Sequence, residues 1–361
     1  MTAKGGKRKT GYQRPQASAP REAPYRQAVN PAPVDPSDLE QLPSTYQAIH
    51  DYYRQFREVE LFALRKEAIK RIERATGRPL VCYVTRTNNF SPVSVPIALD
   101  DSDLVGFRDL IHGVESGSID VFIVSNGGSA EAAERIALLL RERFQSMRFI
   151  VPANAYSAAT LLCFAGDEIV MGALGTLGPI DPQIAGIPAR TILRAFENLE
   201  KRLKEEGPTA LTAYVPLLEK YELHILEICK SAQGLSDELA RNFLSRYMLQ
   251  CDRGDPRIDE IIRHFSDYDS QKSHSRGIGR QVARDKGLNV TFAESVDQLD
   301  SLIYSLYNQY EFFFDNSPFY KLFENSVGIN WGRQKVALKV EPPTPRRHPE
   351  QAPAGPPARS D

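Results

Sequence analysis

Two short segments of the sequence decide the fold that we expect. Residues 119–129 read Ile-Asp-Val-Phe-Ile-Val-Ser-Asn-Gly-Gly-Ser, and residues 151–160 read Val-Pro-Ala-Asn-Ala-Tyr-Ser-Ala-Ala-Thr. The first is an apolar run of strand length that leads into a glycine turn, and the second follows another apolar run and leads into small residues that open a helix. Both therefore predict strand-to-helix turns of parallel βαβ units.

The first turn contains two adjacent glycines, Gly127 and Gly128. Without side chains, their backbone N–H groups stay uncovered at the start of a helix. That arrangement suits an oxyanion hole. An ordinary tight turn has the same local sequence, and the glycine pair alone favours that simpler interpretation.

The second turn places Ser157 among small residues where a strand has ended and a helix begins. Its hydroxyl would project from the start of the helix, and the small neighbours would let a substrate backbone come close. Serine is also a common N-cap residue. The segment by itself does not choose between a nucleophile and a cap.

Outward from these turns, apolar periodicity predicts alternating strands and helices. The predicted strands are residues 80–84, 119–124, 147–151, 168–171 and 288–290, and the predicted helices are residues 44–76, 102–114, 130–143, 157–165, 257–265, 280–286 and 292–327. Residues 189–248 carry little strand signal and predict a helical insertion, which we place at about 189–250. The terminal helix is rich in aromatic residues, which favours a packing face in the core or an oligomer contact.

The two ends of the chain differ from the part between them. Residues 1–40 are basic and rich in proline, and residues 336–361 are rich in proline, so neither segment can bury enough surface to offset its ordering entropy. We expect both to be disordered, and we expect an N-terminal helix within residues 41–78 followed by one domain over residues 79–327.

Composition excludes several classes of function. The formal net charge is −1 and charged residues make up 25% of the chain, so nothing favours nucleic acid or an acidic membrane as a partner. The four cysteines form no CxxC pair and the six histidines form no HExxH motif, and no phosphate-binding loop is present, so we expect no metal and no cofactor. We find neither a secretory signal nor an apolar stretch of membrane-spanning length, and we expect a reduced, cytoplasmic protein.

Four motifs in a fixed order add specificity. The glycine turn and the turn at Ser157 are followed by Asp-Glu-Ile-Val-Met-Gly at 167–172 and by Leu-Gly-Pro-Ile-Asp-Pro-Gln at 177–183. With a late Ser-His-Ser-Arg segment at 273–276, this order resembles the serine dehydrogenase proteinase family, which is allied to signal peptide peptidase A and to the proteolytic subunit of Clp protease. The resemblance runs from about Leu80 to Val290. It implies a ClpP/crotonase-like α/β fold, a stack of ββα units whose parallel sheet is wrapped by helices.

The resemblance also implies roles for individual residues. Ser157 falls on the nucleophile of the family, and Gly127 and Gly128 fall on its oxyanion-hole turn, with the N–H groups of Gly128 and Ala158 as donors. Two positions depart from the family pattern. Asn126 stands where proline is usual, and Ala159 stands where glycine is usual, which would put a methyl group near the substrate channel.

The general base is not fixed by the sequence. A nucleophilic serine needs a histidine oriented by an acid, or a desolvated lysine. The resemblance points to Asp181 and to a position near His274, which gives a Ser157–His274–Asp181 triad as our first choice. Lys220 is the alternative base, as in signal peptide peptidase A, although a lysine beside Glu219 is more often a solvated helix charge.

The function that we expect is hydrolysis of polypeptides through an acyl-enzyme on Ser157. The substrate would lie as an added strand beside the glycine turn, and we expect a homo-oligomer. Two alternatives stay open, namely a catalytically inactive scaffold that binds peptides or a partner and a crotonase-type acyl-CoA enzyme. The departures at Asn126 and Ala159 favour the scaffold, whereas an acyl-CoA isomerase would not need Ser157 as a nucleophile.

Overall fold

The computed structural model describes residues 35–55, 61–87, 96–207, 211–218, 224–266 and 277–335. The helices are α1 (Tyr46–Gln55), α2 (Leu61–Thr76), α3 (Asp103–Ile111), α4 (Ala130–Arg143), α5 (Ala158–Phe164), α6 (Ala189–Glu206), α7 (Leu211–Leu218), α8 (His224–Phe243), α9 (Pro256–Ser266), α10 (Arg280–Asp285) and α11 (Leu299–Asp315). The strands are β1 (Leu80–Thr85), β2 (Ser118–Val124), β3 (Ser146–Val151), β4 (Asn154–Ala155), β5 (Glu168–Met171), β6 (Thr176–Leu177), β7 (Gln183–Ile184), β8 (Ile187–Pro188), β9 (Ile278–Gly279), β10 (Val290–Phe292), β11 (Phe319–Asn325) and β12 (Asn330–Gln334).

A mostly parallel sheet forms the centre of the molecule. Within the described ranges it has seven strands in the order β10-β5-β3-β2-β1-β11-β12. The five strands from β10 to β1 pair in parallel, with Phe122 opposite Ile150 and Ile150 opposite Val170. The predicted α/β fold with a parallel sheet is confirmed, because helices connect these strands as crossovers.

Both faces of the sheet are covered, which explains the continuous apolar runs in the sequence. On one face, Val121, Ile123 and Phe149 pack against α3, α4, α5, α8 and α9. On the other face, Phe122 and Ile150 pack against α2 and α11. Alternate residues of each strand therefore serve two separate hydrophobic cores.

A second, smaller sheet crosses the carboxyl end of the first. It consists of β4, β6 and β9, with Ala155 paired to Leu177 and Leu177 paired to Ile278. Strand β3 passes into β4 and then into α5, which is the ββα arrangement that the resemblance implies. The turn from β4 into α5 contains Ser157, so the small sheet fixes the position of that residue.

The helical insertion occupies nearly the span that the sequence predicts. Helices α6, α7 and α8 are followed by a single π-helical turn at Leu244–Met248. Helices α6 and α8 share a small apolar cluster around Ala189, Ile192 and Cys229. The last turns of α8 join the main core through Leu239 and Phe243, which anchors the insertion to the sheet.

The C-terminal region differs from the expected helix over 292–327. Helix α11 ends at Asp315, and β11 and β12 then form an antiparallel hairpin in which β11 pairs with β1. Asn316 ends the helix and Pro318 follows it, which is an ordinary helix stop. The aromatic face of α11 packs against the sheet through Tyr310 and Phe314, as a core contact.

The N-terminal boundary also differs. The expected helix over 44–76 appears as α1 and α2, and residues 56–60 between them lie outside the described residues. Residues 35–40, expected in the tail, are held to the domain by Arg71, which donates to the carbonyl oxygens of Leu39 and Glu40. The remainder of both predicted tails lies outside the described residues. No helix in the described ranges has the length and apolarity needed to cross a membrane.

Candidate active site

The two turns singled out by the sequence lie side by side. The N–H of Ser125, at the end of β2, donates to the carbonyl oxygen of Asn154 at 2.9 Å, and the N–H of Tyr156 donates to the carbonyl oxygen of Ser125 at 2.9 Å. These bonds continue the pairing of β2 and β3 past the main sheet, as a parallel bridge between Ser125 and Ala155. The glycine turn and the Ser157 turn are therefore one structural unit.

Ser157 has an unusual backbone conformation, with φ 52° and ψ −120°. A residue with a side chain in such a sparsely populated region costs about 1–3 kcal/mol, and these residues concentrate at functional sites. A serine on a strained strand-to-helix turn is the arrangement of a nucleophile elbow, which exposes the hydroxyl. The side chain of Ser157 makes no capping hydrogen bond to α5, so it does not act as an N-cap hydroxyl.

Gly127 lets the two turns approach each other. Its φ is 88°, and an added Cβ would overlap the carbonyl oxygen of Tyr156 and lie 2.7 Å from Cβ of Ser157. Its N–H donates to Oγ of Ser125 at 3.1 Å. Gly127 therefore contributes space beside Ser157, and its amide is already used within the turn.

The amides of Gly128 and Ala158 lie on the two turns beside Ser157. Leu99 forms a parallel bridge with Gly128 by donating to the carbonyl oxygen of Gly127 and accepting from the N–H of Ser129, both at 2.8 Å. The N–H and C=O of Gly128 consequently point away from Leu99. Ala158 is the first residue of α5, where an N–H has no partner within the helix. In the described part of the chain, neither amide donates to another group.

A cleft of about 480 Å³ opens over this unit. The two turns line it through Gly127, Gly128, Ser129, Ser157 and Ala158. The rest of the lining is mostly apolar and includes Ile97, Ala98, Ala130, Leu161, Ile180, Ile184, Ala232 and Leu235. Glu131 is the one charged side chain among the described residues that line it. The cleft therefore brings together Ser157, the backbone at Gly128 and Ala158, and an apolar wall.

Asp181 lies behind the wall of this cleft. It is fully buried, while its neighbours Ile180 and Pro182 line the cleft. The N–H of Ile180 donates to the carbonyl oxygen of Phe265 at 2.9 Å, and the hydroxyl of Ser236 donates to the carbonyl oxygen of Ile180 at 2.7 Å. Helices α8 and α9 thus both hold the segment that contains Asp181.

The two candidate bases, His274 and Lys220, lie outside the described residues, in segments 267–276 and 219–223. The described ends of the first segment are beside the site. On one side of the segment, the carbonyl oxygen of Phe265 accepts from the N–H of Ile180. On the other side, a Cβ added to Gly277 would lie 3.1 Å from the hydroxyl oxygen of Tyr156.

Both departures from the family pattern have a structural setting. The side-chain amide of Asn126 donates to the carbonyl oxygen of Thr87 at 3.3 Å, and its side-chain oxygen accepts from Asn154 at 2.7 Å, so it links three segments at the turn. Ala159 is fully buried in the main core and does not line the cleft. The expected methyl group is therefore packed in the core and does not border this cleft.

The cysteines provide no second nucleophile at the site. Cys163, on α5, and Cys82, on β1, are fully buried, as expected for small apolar side chains. Burial raises the pKa of both thiols above the ordinary value, so neither forms a thiolate near neutral pH. In the residues that the structure describes, no cluster of histidine, cysteine, aspartate and glutamate is placed to hold a metal ion.

Some parts of the site were not found from the sequence. Leu99, which pairs with Gly128, follows a segment without strand periodicity, and Ala232 and Leu235 reach the cleft from the middle of α8. Amphipathic spacing predicts the helix but not which of its residues face a cleft, because that depends on tertiary packing. Thr160, three residues after Ser157, is part of the quoted turn, but nothing in the sequence indicated a role for it.

The residues that form this site lie in a segment that matches a known protein family. The family model of ClpP-like SDH-type serine proteinases matches residues 50–214, which include the glycine turn, Ser157 and Asp181. The match covers a little under half of the chain. The resemblance derived from the four motifs is thereby confirmed, and the match ends within α7, before the rest of the insertion and the C-terminal hairpin.

The chain is also similar to individual proteins. Uncharacterized protein MJ1495 of Methanocaldococcus jannaschii is 30% identical over 186 residues, which are 50% of this chain and 63% of that protein. Uncharacterized protein MJ0137 of the same organism is 31% identical over 150 residues, 40% of this chain and 50% of that protein. The chain thus spans between half and two thirds of these relatives. A variant of ClpP1 from Listeria monocytogenes is 14% identical over 57% of this chain and 90% of that chain, with a TM-score of 0.28.

Proposed function

We propose that this protein is a serine peptidase that cleaves polypeptides through an acyl-enzyme on Ser157. The observation that carries the proposal is the backbone of Ser157, held at φ 52° and ψ −120° at the mouth of a cleft. That conformation is costly, and its hydroxyl does not offset the cost by capping the helix. Exposure of the hydroxyl to a substrate is the function that such a turn serves.

The donors for the oxyanion are the N–H groups of Gly128 and Ala158. As Oγ of Ser157 attacks the carbonyl carbon, negative charge develops on the carbonyl oxygen. Two fixed amides stabilise that charge without reorganisation, and removal of one such donor costs about 10²–10³-fold in other serine hydrolases. The two amides border the same cleft as Ser157 and have no competing acceptor in the described residues.

The base in our proposal is His274, oriented by Asp181. It takes the proton of Ser157 and gives it to the leaving amine nitrogen when the C–N bond breaks; water then hydrolyses the ester. Sequence connectivity supports this choice. His274 precedes Gly277 by three residues, which span at most about 11 Å, and Gly277 packs against Tyr156, the neighbour of Ser157.

Lys220 is less well supported as the base. It falls between α7, none of whose described residues lines the cleft, and the start of α8 at His224. The first residue of α8 that lines the cleft is Ala232, eight positions later, or about 12 Å along the helix axis. Chain geometry thus favours a base from the segment before Gly277.

The substrate in this proposal is an extended peptide with an apolar side chain next to the cleaved bond. The C=O of Gly128 points away from Leu99 and can accept from an N–H of an added strand, while its N–H holds the carbonyl that is attacked. Leu161, Ile180 and Leu235 then form the wall that the substrate side chain would contact. An acyl-CoA isomerase would not require the strained serine, and the burial of Ala159 removes one argument for an inactive scaffold.

We also propose that the protein forms a homo-oligomer. Leu174 and Tyr304 are 55% and 41% exposed and border a hollow at the carboxyl end of the parallel strands, which gives an apolar surface for self-association. Sedimentation velocity should show a species larger than the monomer, and Tyr304→Glu should lower its mass. A monomer at every concentration would contradict this part of the proposal.

The experiment that tests the peptidase proposal is reaction with a fluorophosphonate probe, followed by intact mass. We expect one adduct on the wild type and none on Ser157→Ala. Ser305→Ala, which removes a buried serine hydroxyl on the other face of the sheet, is the matched control and should still react. An unreactive wild type would contradict the proposal and favour the inactive scaffold.

Two further variants identify the base. We expect His274→Ala to lose the adduct and Lys220→Ala to retain it. The reverse result would assign the base to Lys220 and would leave the role of Ser157 intact. Hydrolysis of peptides with leucine, lysine or glutamate before the cleaved bond then tests the apolar wall, and we expect leucine to be preferred.

A further inference from the structure

We propose that Thr160 is a positioning residue, which fixes the nucleophile turn against the segment that contains Asp181. The inference rests on the proposed function, because Ser157 and Asp181 are the residues whose relative position Thr160 would hold. Thr160 lies on the first turn of α5, three residues after Ser157, and is fully buried. It does not line the cleft, so it cannot touch a substrate there.

The hydroxyl of Thr160 joins two segments of backbone. Its oxygen lies 2.7 Å from the carbonyl oxygen of Ala155 and 3.0 Å from the carbonyl oxygen of Gly178, and the N–H of Gly178 donates to it at 3.0 Å. A hydroxyl carries one hydrogen and accepts through two lone pairs. It can therefore donate to the Ala155 carbonyl, the nearer of the two, and still accept from Gly178.

The two joined segments are the ones that carry the proposed triad members. Ala155 is two residues before Ser157, and Gly178 is three residues before Asp181. The sheet pairing between these segments is short, with only Asn154–Thr176 and Ala155–Leu177 as register partners. Beyond Leu177 the N–H of Gly178 also donates to the carbonyl oxygen of Ala155 at 3.1 Å, and the Thr160 hydroxyl joins the same two groups from inside the helix.

The contact between the segments leaves little room for movement. An added Cβ on Gly178 would lie 2.8 Å from Cβ of Tyr156, so the backbone at Gly178 is seated directly against the residue before Ser157. The backbone of Ser157 is strained, so the turn is expected to move to a less strained conformation if the contacts that hold it are removed. Thr160 opposes that relaxation, since it holds the turn from the Ala155 side and the Asp181 segment from the Gly178 side.

A structural role alone would give a different signature from a positioning role. Loss of a buried hydroxyl lowers stability wherever it occurs, whereas a misplaced nucleophile lowers the reaction rate of protein that is still folded. Thr160→Val keeps the shape of the side chain and removes the hydroxyl, and Thr160→Ser keeps the hydroxyl. Ser305→Ala is the control, because it removes a buried hydroxyl that donates to the carbonyl oxygen of Pro43 at 2.8 Å, on the other face of the sheet.

The test compares the rate of fluorophosphonate labelling and amide hydrogen exchange in these three variants and the wild type, at a temperature where all are folded. We expect Thr160→Val to label about 10²-fold more slowly, since a displacement near 1 Å has that effect on an oriented reaction. Its exchange should rise in peptides covering 153–160 and 176–182. Thr160→Ser and Ser305→Ala should label at close to the wild-type rate.

Several results would overturn the inference. Labelling of folded Thr160→Val at the wild-type rate would overturn it. Labelling of Ser305→Ala slowed as much as that of Thr160→Val would also overturn it. If the wild type itself is not labelled, the peptidase proposal fails. Hydrogen exchange then still tests whether Thr160 holds the two segments together. Unchanged exchange at 176–182 in Thr160→Val would then show that Thr160 does not hold the two segments together, while a rise confined to both segments would support the role.

Discussion

The turn at Ser157 and the hairpin of β11 and β12 both depend on buried polar contacts, but only the turn could be read from the sequence. The turn is made of small residues and glycines in a fixed order, and its polar contacts combine backbone hydrogen bonds with those of uncharged side chains. The hairpin buries charged side chains, with Lys321 and Glu324 both fully buried on β11. The expected helix over 292–327 includes β11 and ends before β12, so the hairpin was missed.

The two buried charges of β11 lie on opposite faces of the sheet. Nζ of Lys321 is 2.8 and 2.9 Å from the carboxylate oxygens of Asp103 on α3, and Glu324 makes two hydrogen bonds of 2.8 and 2.6 Å with Arg65 on α2. Each face of the hairpin is thus fastened to a helix by an ion pair. The site region is thus held by backbone geometry and uncharged hydrogen bonds, whereas the hairpin is held by buried charges.

The largest effect that we predict is on the hairpin. Lys321→Met leaves the carboxylate of Asp103 buried without its main cation, and breaking such a pair costs about 3–5 kcal/mol. Nζ of Lys321 also donates to the carbonyl oxygen of Ala98 at 2.6 Å, next to Leu99, which pairs with Gly128. We therefore expect the free energy of unfolding, measured with urea, to fall by about that amount.

Lys204→Met is the matched control for this prediction. Lys204 pairs with Glu200 at 2.6 Å, but both side chains are exposed, and exposed pairs contribute about 0–1 kcal/mol. The double variant Lys321→Met/Asp103→Asn should recover part of the loss, because no unpaired charge remains. Equal, small effects of the two lysine substitutions would show that burial of the hairpin charges does not stabilise the fold.

The next effect concerns the turn. Gly127→Ala places a Cβ against the carbonyl oxygen of Tyr156 and 2.7 Å from Ser157 Cβ, at a φ of 88° that residues with side chains rarely adopt. We expect a loss of about 1–3 kcal/mol in unfolding free energy and fluorophosphonate labelling slowed about 10²-fold. We therefore expect this variant to lose reactivity as well as stability, whereas Lys321→Met should lose mainly stability.

Gly234→Ala is the control for the turn. Gly234 lies within α8, and an added Cβ there meets no atom within 4 Å. Alanine is favoured over glycine inside a helix by about 1 kcal/mol, so this variant should be slightly more stable and should label normally. If Gly127→Ala behaves like Gly234→Ala, the close approach at Ser157 has no functional consequence.

The sequence predicted the parallel sheet, the insertion and the two turns because their signals are local. Apolar runs such as Val121 to Val124 and the spacing from Gly127 to Ser157 need no tertiary information. The remaining features depend on contacts between distant segments. Leu99 meets Gly128 from 29 positions earlier in the chain, and Lys321 meets Asp103 across 218 positions, and no pattern within either segment records its partner.

The smallest predicted effect is at Asn126, where the chain departs from the family pattern. Its side chain bridges Thr87 and Asn154 at the exposed rim of the turn, through bonds of 3.3 and 2.7 Å. Asn126→Ala removes both bonds and no backbone contact. A hydrogen bond of this kind contributes about 0.5–1.5 kcal/mol, so we expect a small loss of stability and a labelling rate close to that of the wild type. The measurement is the labelling rate beside urea unfolding, with Gly127→Ala as reference. Slowing as large as that of Gly127→Ala would mean that the exposed side chain of Asn126 also holds the Ser157 turn in place.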